Sequence, residues 1–436
     1  MRPSTPSVDR GRVLAWALWD WASAAYHAVI LTFVFSVYLT DGVGDGTPAA
    51  SAALGYAMGA AGLVIALLAP VIGQRADAEG RRKFSTGLWT ACAIVATASL
   101  VTVRDDPAYL WPGLVLLAAG SVVAELAQVS YNAMLAQVSS PATVGRVSGF
   151  GWAMGYLGGI VLLLLVYYGF VAGDGPTAGF LGLSREDGWN VRVVALAAAV
   201  WFLVFALPLF LRVPETPPVE PGAARRGLVG SYRALAADLV ALYREDRRTV
   251  YFLGASALFR DGLAAIFTVG SVLAVGVYGI RPGDVLLFGV AANVVAAAGA
   301  LAGGRVEDRV GPKPVIMVSL GAMIAVACVL LVASGPALFW AFGLVLVFFV
   351  GPAQSSSRTF LARLAPPGRE GELFGLYATT GRAVSFLAPS LFGLFVWIFD
   401  AQRAGIVGIV LVLLAGLLAL LPVRPPSEIP GAAPTG

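Results

Sequence analysis

The sequence predicts an all-α membrane protein whose twelve transmembrane helices form two pseudo-symmetric six-helix bundles. Three observations carry that reading. Of the 436 residues 58% are hydrophobic and 12% charged, outside the range of soluble globular chains. Apolar runs such as 191–211 and 405–421 hold about 20 residues, enough to cross roughly 30 Å of hydrocarbon. The loop GQRADAEGRRK, from Gly73 to Lys83, recurs as GRVEDRVGPKP, from Gly304 to Pro314, once per half. In both copies Gly is followed by Asp (Asp77, Asp308), then by Gly (Gly80, Gly311), then by basic residues. Parallel halves place equivalent loops of this kind on one membrane face.

The elements follow in order from apolar blocks bounded by charged or Pro/Gly-rich connections. Helix 1 is expected over 14–40. It follows Arg10 and Arg12 as a signal peptide would, but its length, the enclosed Asp20 and the lack of a small-residue cleavage site argue that it is retained. Helix 2 (50–74) leads into the first loop, helix 3 (84–104) leaves it, and helix 4 (108–138) carries Glu125, Gln128 and Asn132 on one side. Helix 5 (145–172) has Gly151, Gly155 and Gly159 at four-residue spacing, which permits close helix packing, and helix 6 (190–212) is almost uniformly apolar.

Next comes VPETPPVEPGAARR, too proline-rich to pack, so 213–248 is read as a linker. Within it Leu228, Tyr232, Leu235, Leu239 and Leu242 fall at helical spacing, as in a helix lying on a membrane surface. The second six are expected over 249–279, 284–303, 315–334, 336–364, 372–399 and 402–422, with a disordered tail over 423–436. The domains are thus 1–212, the linker, 249–422 and the tail. Cys92 and Cys328 lie in apolar segments of different halves and read as small core hydrophobes.

Duplication extends past the loops. Gln128, Leu135, Pro141, Gly149 and Gly155 align without gaps with Gln354, Leu361, Pro367, Gly375 and Gly381; Asp20, Ala24 and Tyr26 align with Asp261, Ala265 and Phe267. The net charge is +4, and its distribution is more informative than its sum. With the N-terminus taken as cytoplasmic, 22 of the 29 Lys and Arg fall in the termini and even-numbered connections, five in odd-numbered ones, and only Arg260 and Arg382 inside helices. This bias puts both termini in the cytoplasm, with the inner cell membrane as the expected site, and accounts for the basic residues without nucleic acid.

Gly73, Asp77, Gly80, Arg81 and Arg82, with Gly304, Asp308, Gly311 and Lys313, resemble the signature of the major facilitator superfamily between helices 2 and 3 and between 8 and 9. Segments of helices 1, 4 and 11 are similar to the vacuole effluxer subgroup, of which this chain looks like a bacterial-type member. Fungal members of that subgroup export amino acids from the vacuole. The resemblance implies the major facilitator fold, secondary active transport of a small solute, amino acids first, and a gating latch built from these loop residues. Where the subgroup has Tyr-Asp-Trp-Ala-Asn-Ser in helix 1, this chain has Trp19, Asp20, Trp21, Ala22, Ser23 and Ala24.

An ionised side chain at bilayer centre costs at least about 2.5 kcal/mol. Asp20, Glu125, Arg260, Asp261 and Arg382 therefore need partners or water and mark an interior pathway. Asp20, Ser23 and His27 share one side of helix 1; His27 is either part of a proton relay or a hydrogen-bonded packing residue. Glu125 and Gln128 serve coupling and substrate contact, or a helix network with Arg146 or Arg382. Arg382 clamps a substrate carboxylate while a carboxylate takes its amine, or it is fixed to Asp261 in a bracing ion pair. Trp152, Tyr156 and Tyr377 line a pocket or pack.

No nucleotide-binding loop, metal-ligand cluster or hydrolase motif stands in the sequence, so neither an enzyme nor a cofactor or metal site is expected. The expected partners are a small solute, protons and the bilayer, with the chain monomeric. Alternatives to amino-acid transport are efflux of drugs or other metabolites, and a non-transporting sensor or scaffold.

Overall fold

The structure is a computed structural model that describes residues 9–173, 175–215 and 247–424, with scattered positions between 230 and 246. Among these residues twelve helices are long and apolar enough to cross a membrane. Helices 1 to 6 span Arg10–Val43, Pro48–Ala78, Arg82–Thr102, Pro107–Ala133, Val144–Val171 and Glu186–Arg212. Helices 7 and 8 span Arg247–Gly276 and Pro282–Val310. Helices 9 to 12 span Pro312–Val332, Pro336–Leu364, Glu370–Phe399 and Gln402–Leu420. The linker beyond Glu215, most of the amphipathic segment and the tail from Pro425 lie outside the described residues. Tyr232 of that segment donates its hydroxyl to the Leu67 carbonyl at 2.7 Å.

Three spans depart from the uniform helices expected. Helix 1 opens into π-helical turns over Ala25–Phe33 and Tyr38–Val43, a local widening that is frequent at functional positions. Helix 4 ends its α-helical run at Ala133, and residues to Val138 form a separate turn. Helix 11 breaks at Ser385 and Phe386 into Glu370–Val384 and Leu387–Phe399.

Aromatic stacking fixes helix 1 against helix 4: the rings of Trp16 and Trp19 lie 4.7 and 4.2 Å from that of Tyr131. In the second half Phe252 stacks on Phe360 at 4.3 Å, tying helix 7 to helix 10. Between halves, helix 2 packs on helix 11 and helix 5 on helix 8. Small residues make both approaches possible. A Cβ on Gly73 would overlap the Gly371 carbonyl, and one on Gly149 would overlap that of Ala300.

The same face of helix 2 records how the halves diverge. Gly62 is three turns from Gly73, and a Cβ there would lie 3.9 Å from Arg382. At Gly59 and Gly55, further along that face, it would meet nothing within 4 Å. Gly289 of helix 8, three turns beyond Ala300, meets nothing either. The bundles are therefore closed at the end bearing the two signature loops, hereafter the loop end, and parted at the other.

Candidate functional site

The loop end is sealed by two contacts that the duplication relates. Asp77 accepts from the Glu372 backbone N–H at 2.9 Å, at the start of helix 11. Asp308 accepts from the Gly145 N–H at 2.9 Å and the Arg146 N–H at 3.3 Å, at the start of helix 5. Asp77 and Asp308 are repeat equivalents, and so, at the offset that aligns Gln128 with Gln354, are Arg146 and Glu372. Each half thus caps an orphan helix N-terminus of the other with a carboxylate, the charge that a helix dipole favours there.

Around these caps the symmetry lapses. Arg82, 4% exposed, donates to Asp77 at 2.6 Å and reaches across to Glu370. Its counterpart Lys313 instead donates to the Leu421 carbonyl of its own half at 2.7 Å, and Arg81 is exposed beside Glu79. Gly80 and Gly311 turn the chain with φ of 64° and 83°, which glycine adopts without strain. Glu307, 1% exposed, is held by Ser356 at 2.7 Å, Thr359 at 2.5 Å and Arg363 at 3.6 Å.

Deeper in the bundle two ion pairs join the halves. Arg382 donates to Glu125 at 2.8 Å, with side chains 34% and 19% exposed. Arg382 lies about 18 Å along its helix from the loop end, by the 1.5 Å rise per residue. This overturns a bracing pair between Arg382 and Asp261. Asp261 accepts the Ala388 N–H at 2.6 Å, capping the outer half of broken helix 11. Arg260 lies 3.6 Å over the Tyr377 ring and donates to the Tyr377 carbonyl at 3.0 Å. Tyr377 also shares a 2.6 Å hydrogen bond with Ser357, so these contacts hold it within its own half.

The second ion pair was not foreseen. Arg358 donates to Asp20 at 3.2 Å with side chains 3% and 10% exposed. It also donates to the Ser148 hydroxyl at 2.9 Å, the Ser148 carbonyl at 2.7 Å and Asn132 at 3.3 Å. Its guanidinium carbon stands 4.9 Å from the Trp16 ring and 5.7 Å from that of Trp152. Arg358 belongs inside helix 10, a correction to its assignment among loop charges. The signal available was the repeat itself: at the offset that aligns Gln128 with Gln354, Arg358 is the counterpart of Asn132.

The helix 4 stripe is divided between these pairs. Glu125 joins Arg382, Asn132 joins Arg358, and Gln128 reaches Asn132 only at 3.5 Å. Arg146 takes no part, being paired with Asp308 at 3.3 Å. His27, on the π-helical stretch, lies in the field of Glu125, then Arg382, then Asp20, while Ser23 bonds back to the Asp20 carbonyl at 3.1 Å. Trp152 and Tyr156 stand 5.9 Å apart, and Tyr156 stacks across the halves on Phe267 at 6.4 Å.

Comparison with known proteins agrees with this architecture. An uncharacterized MFS-type transporter, YxiO of Bacillus subtilis, is 25% identical over 419 residues, 93% of each chain. Autophagy-related protein 22-1 of Neosartorya fischeri is 26% identical over 282 residues, 57% of this chain. That match spans 43% of the fungal protein, less than half its length. The proton:xylose symporter XylE, solved with 6-bromo-6-deoxy-D-glucose, superposes with a TM-score of 0.70 at 15% identity, over 94% of each chain, a likeness of fold alone. The family described as "Vacuole effluxer Atg22 like" matches residues 137–427, and the chain belongs to that family, with the major facilitator fold.

Proposed function

We propose that the protein is a secondary transporter for amino acids, working by alternating access between its two bundles. One observation carries the reading: cross-half polar contacts seal one end, while helices 2 and 11 part toward the other. Such contacts are individually exchangeable with water or ligand, which suits an interface that must open. The Lys and Arg bias supports a cytoplasmic loop end, which makes this the outward-facing state. Asp77 and Asp308, with Arg82, are then the latch; Gly73, Gly80, Gly304 and Gly311 give it close approach and turns, and Arg81 and Lys313 orient its rim.

The Glu125–Arg382 pair is the substrate level, because a zwitterion can part it without stranding either charge. The incoming carboxylate takes Arg382 and the ammonium takes Glu125, so both half-buried charges stay compensated. His27 is within electrostatic reach of that pair, and Trp152 and Tyr156 supply apolar surface. Asp20, Glu125 and His27 are the groups available for proton coupling.

Counterflow tests this. Proteoliposomes preloaded with unlabelled amino acid should accumulate labelled amino acid transiently. Binding without counterflow for every amino acid tried would mark a sensor instead.

A further inference from the structure

Arg358 is carried by the second half, yet every side-chain hydrogen bond it makes among the described residues ends in the first. The groups that receive it form a chamber in the first half: Trp16 and Trp152 offer ring faces, Asp20 a carboxylate, Asn132 an amide oxygen, Ser148 a hydroxyl and a carbonyl. Acceptors spread in this way around a planar cation, with indole faces near it, match what a guanidinium requires. The Tyr131 hydroxyl, wholly buried beside Asp20 and Arg358, adds a further polar group to the lining.

We propose that this chamber is a binding site for a guanidinium-bearing solute, arginine being the amino acid that qualifies, and that Arg358 is its built-in competitor. The proposal deepens the transporter reading and rests on it for the access route. Opening the loop end separates the bundles, withdraws Arg358 and leaves Asp20 without its counter-charge. A guanidinium from the opened side restores the lost contacts; on closure Arg358 re-enters and displaces it. Arg358 faces water once the cavity opens, since it lies about 9 Å from the end of its helix. A neutral side chain gives Asp20 no such compensation, so the exchange favours guanidinium over aliphatic side chains.

The test is ligand binding to the purified full chain, which needs no transport. Arg358→Ala vacates the chamber. Millimolar guanidinium chloride or argininamide should then raise its thermal midpoint above that in equimolar sodium chloride, by about 1–2 °C at tenfold the dissociation constant. Asp20→Asn combined with Arg358→Ala should abolish the shift. If Arg358→Ala is not recovered folded, recovery in guanidinium but not in sodium chloride is the same positive result, and Arg358→Gln is titrated alongside. No shift beyond the salt control, or an equal shift in the Asp20→Asn double variant, overturns the site. Failure of wild-type counterflow with a positive shift in Arg358→Ala would sink the transport reading and leave the chamber standing.

Discussion

Removing the latch carboxylates one at a time should bias the two bundles unequally, and the hydrogen bonds say in which order. Asp308 makes both of its backbone bonds, to Gly145 and Arg146, across the halves. Asp77 makes one across, to Glu372; its shorter bond goes to Arg82 in its own half. A hydrogen bond to a charged group contributes about 1.5–3 kcal/mol. Asp77→Ala therefore shifts the equilibrium toward an open loop end by about ten- to a hundred-fold, and Asp308→Ala by more, its second, longer bond adding to the first. Arg82 moderates the Asp77 variant by keeping its bridge to Glu370. Spin labels at Ala142 and Arg309, exposed positions on opposite halves, report the separation. A longer distance should grow in both variants, further in Asp308→Ala. Unchanged distances in both, or a larger effect from Asp77→Ala, would refute the assignment of these bonds as the seal.

Other residues give independent checks. Glu125→Gln and Arg382→Gln should each weaken amino-acid binding about tenfold or more, the cost of an uncompensated charge, and the pair should be strongly non-additive, as isothermal titration can show. Asp20→Asn and Glu125→Gln should depress uptake driven by a pH jump more than counterflow; equal losses would remove both from proton coupling. Asp261→Ala removes the cap on Leu387–Phe399, so amide exchange in that half-helix should accelerate about two- to thirty-fold, matching a cap of about 0.5–2 kcal/mol. Gly73→Val should hold the loop end open, seen as increased labelling of a cysteine placed at Gly371's neighbour Glu372, because the added side chain overlaps the Gly371 carbonyl.

The twelve spans were legible because lipid demands long apolar helices, and the duplication because both signature loops kept their glycines. Periodicity also placed Asp20, Glu125 and Arg382 inside the bundle. It could not say which charge meets which, because depth and face along one helix do not fix the register between two halves. Arg382 accordingly had both Asp261 and Glu125 as candidates, and the break after Ser385 gives Asp261 a backbone N–H to cap instead. Arg358 was hidden for a related reason. Six residues from the end of helix 10, an arginine can ordinarily snorkel to water. What buries it is the opposite bundle, which no single segment reveals. The π-helical turns near His27 and the broken helix 11 likewise come from tertiary contacts rather than local propensity.

The most direct test of alternating access is to measure both ends of one molecule as ligand is added. Label pairs at Ala142 and Arg309 report the loop end; Tyr56 and Trp397, on the far segments of helices 2 and 11, report the other. Amino acid at saturating concentration should lengthen the first distance and shorten the second in the same population. Two distances that lengthen together, or neither changing with any amino acid that binds, would contradict the account.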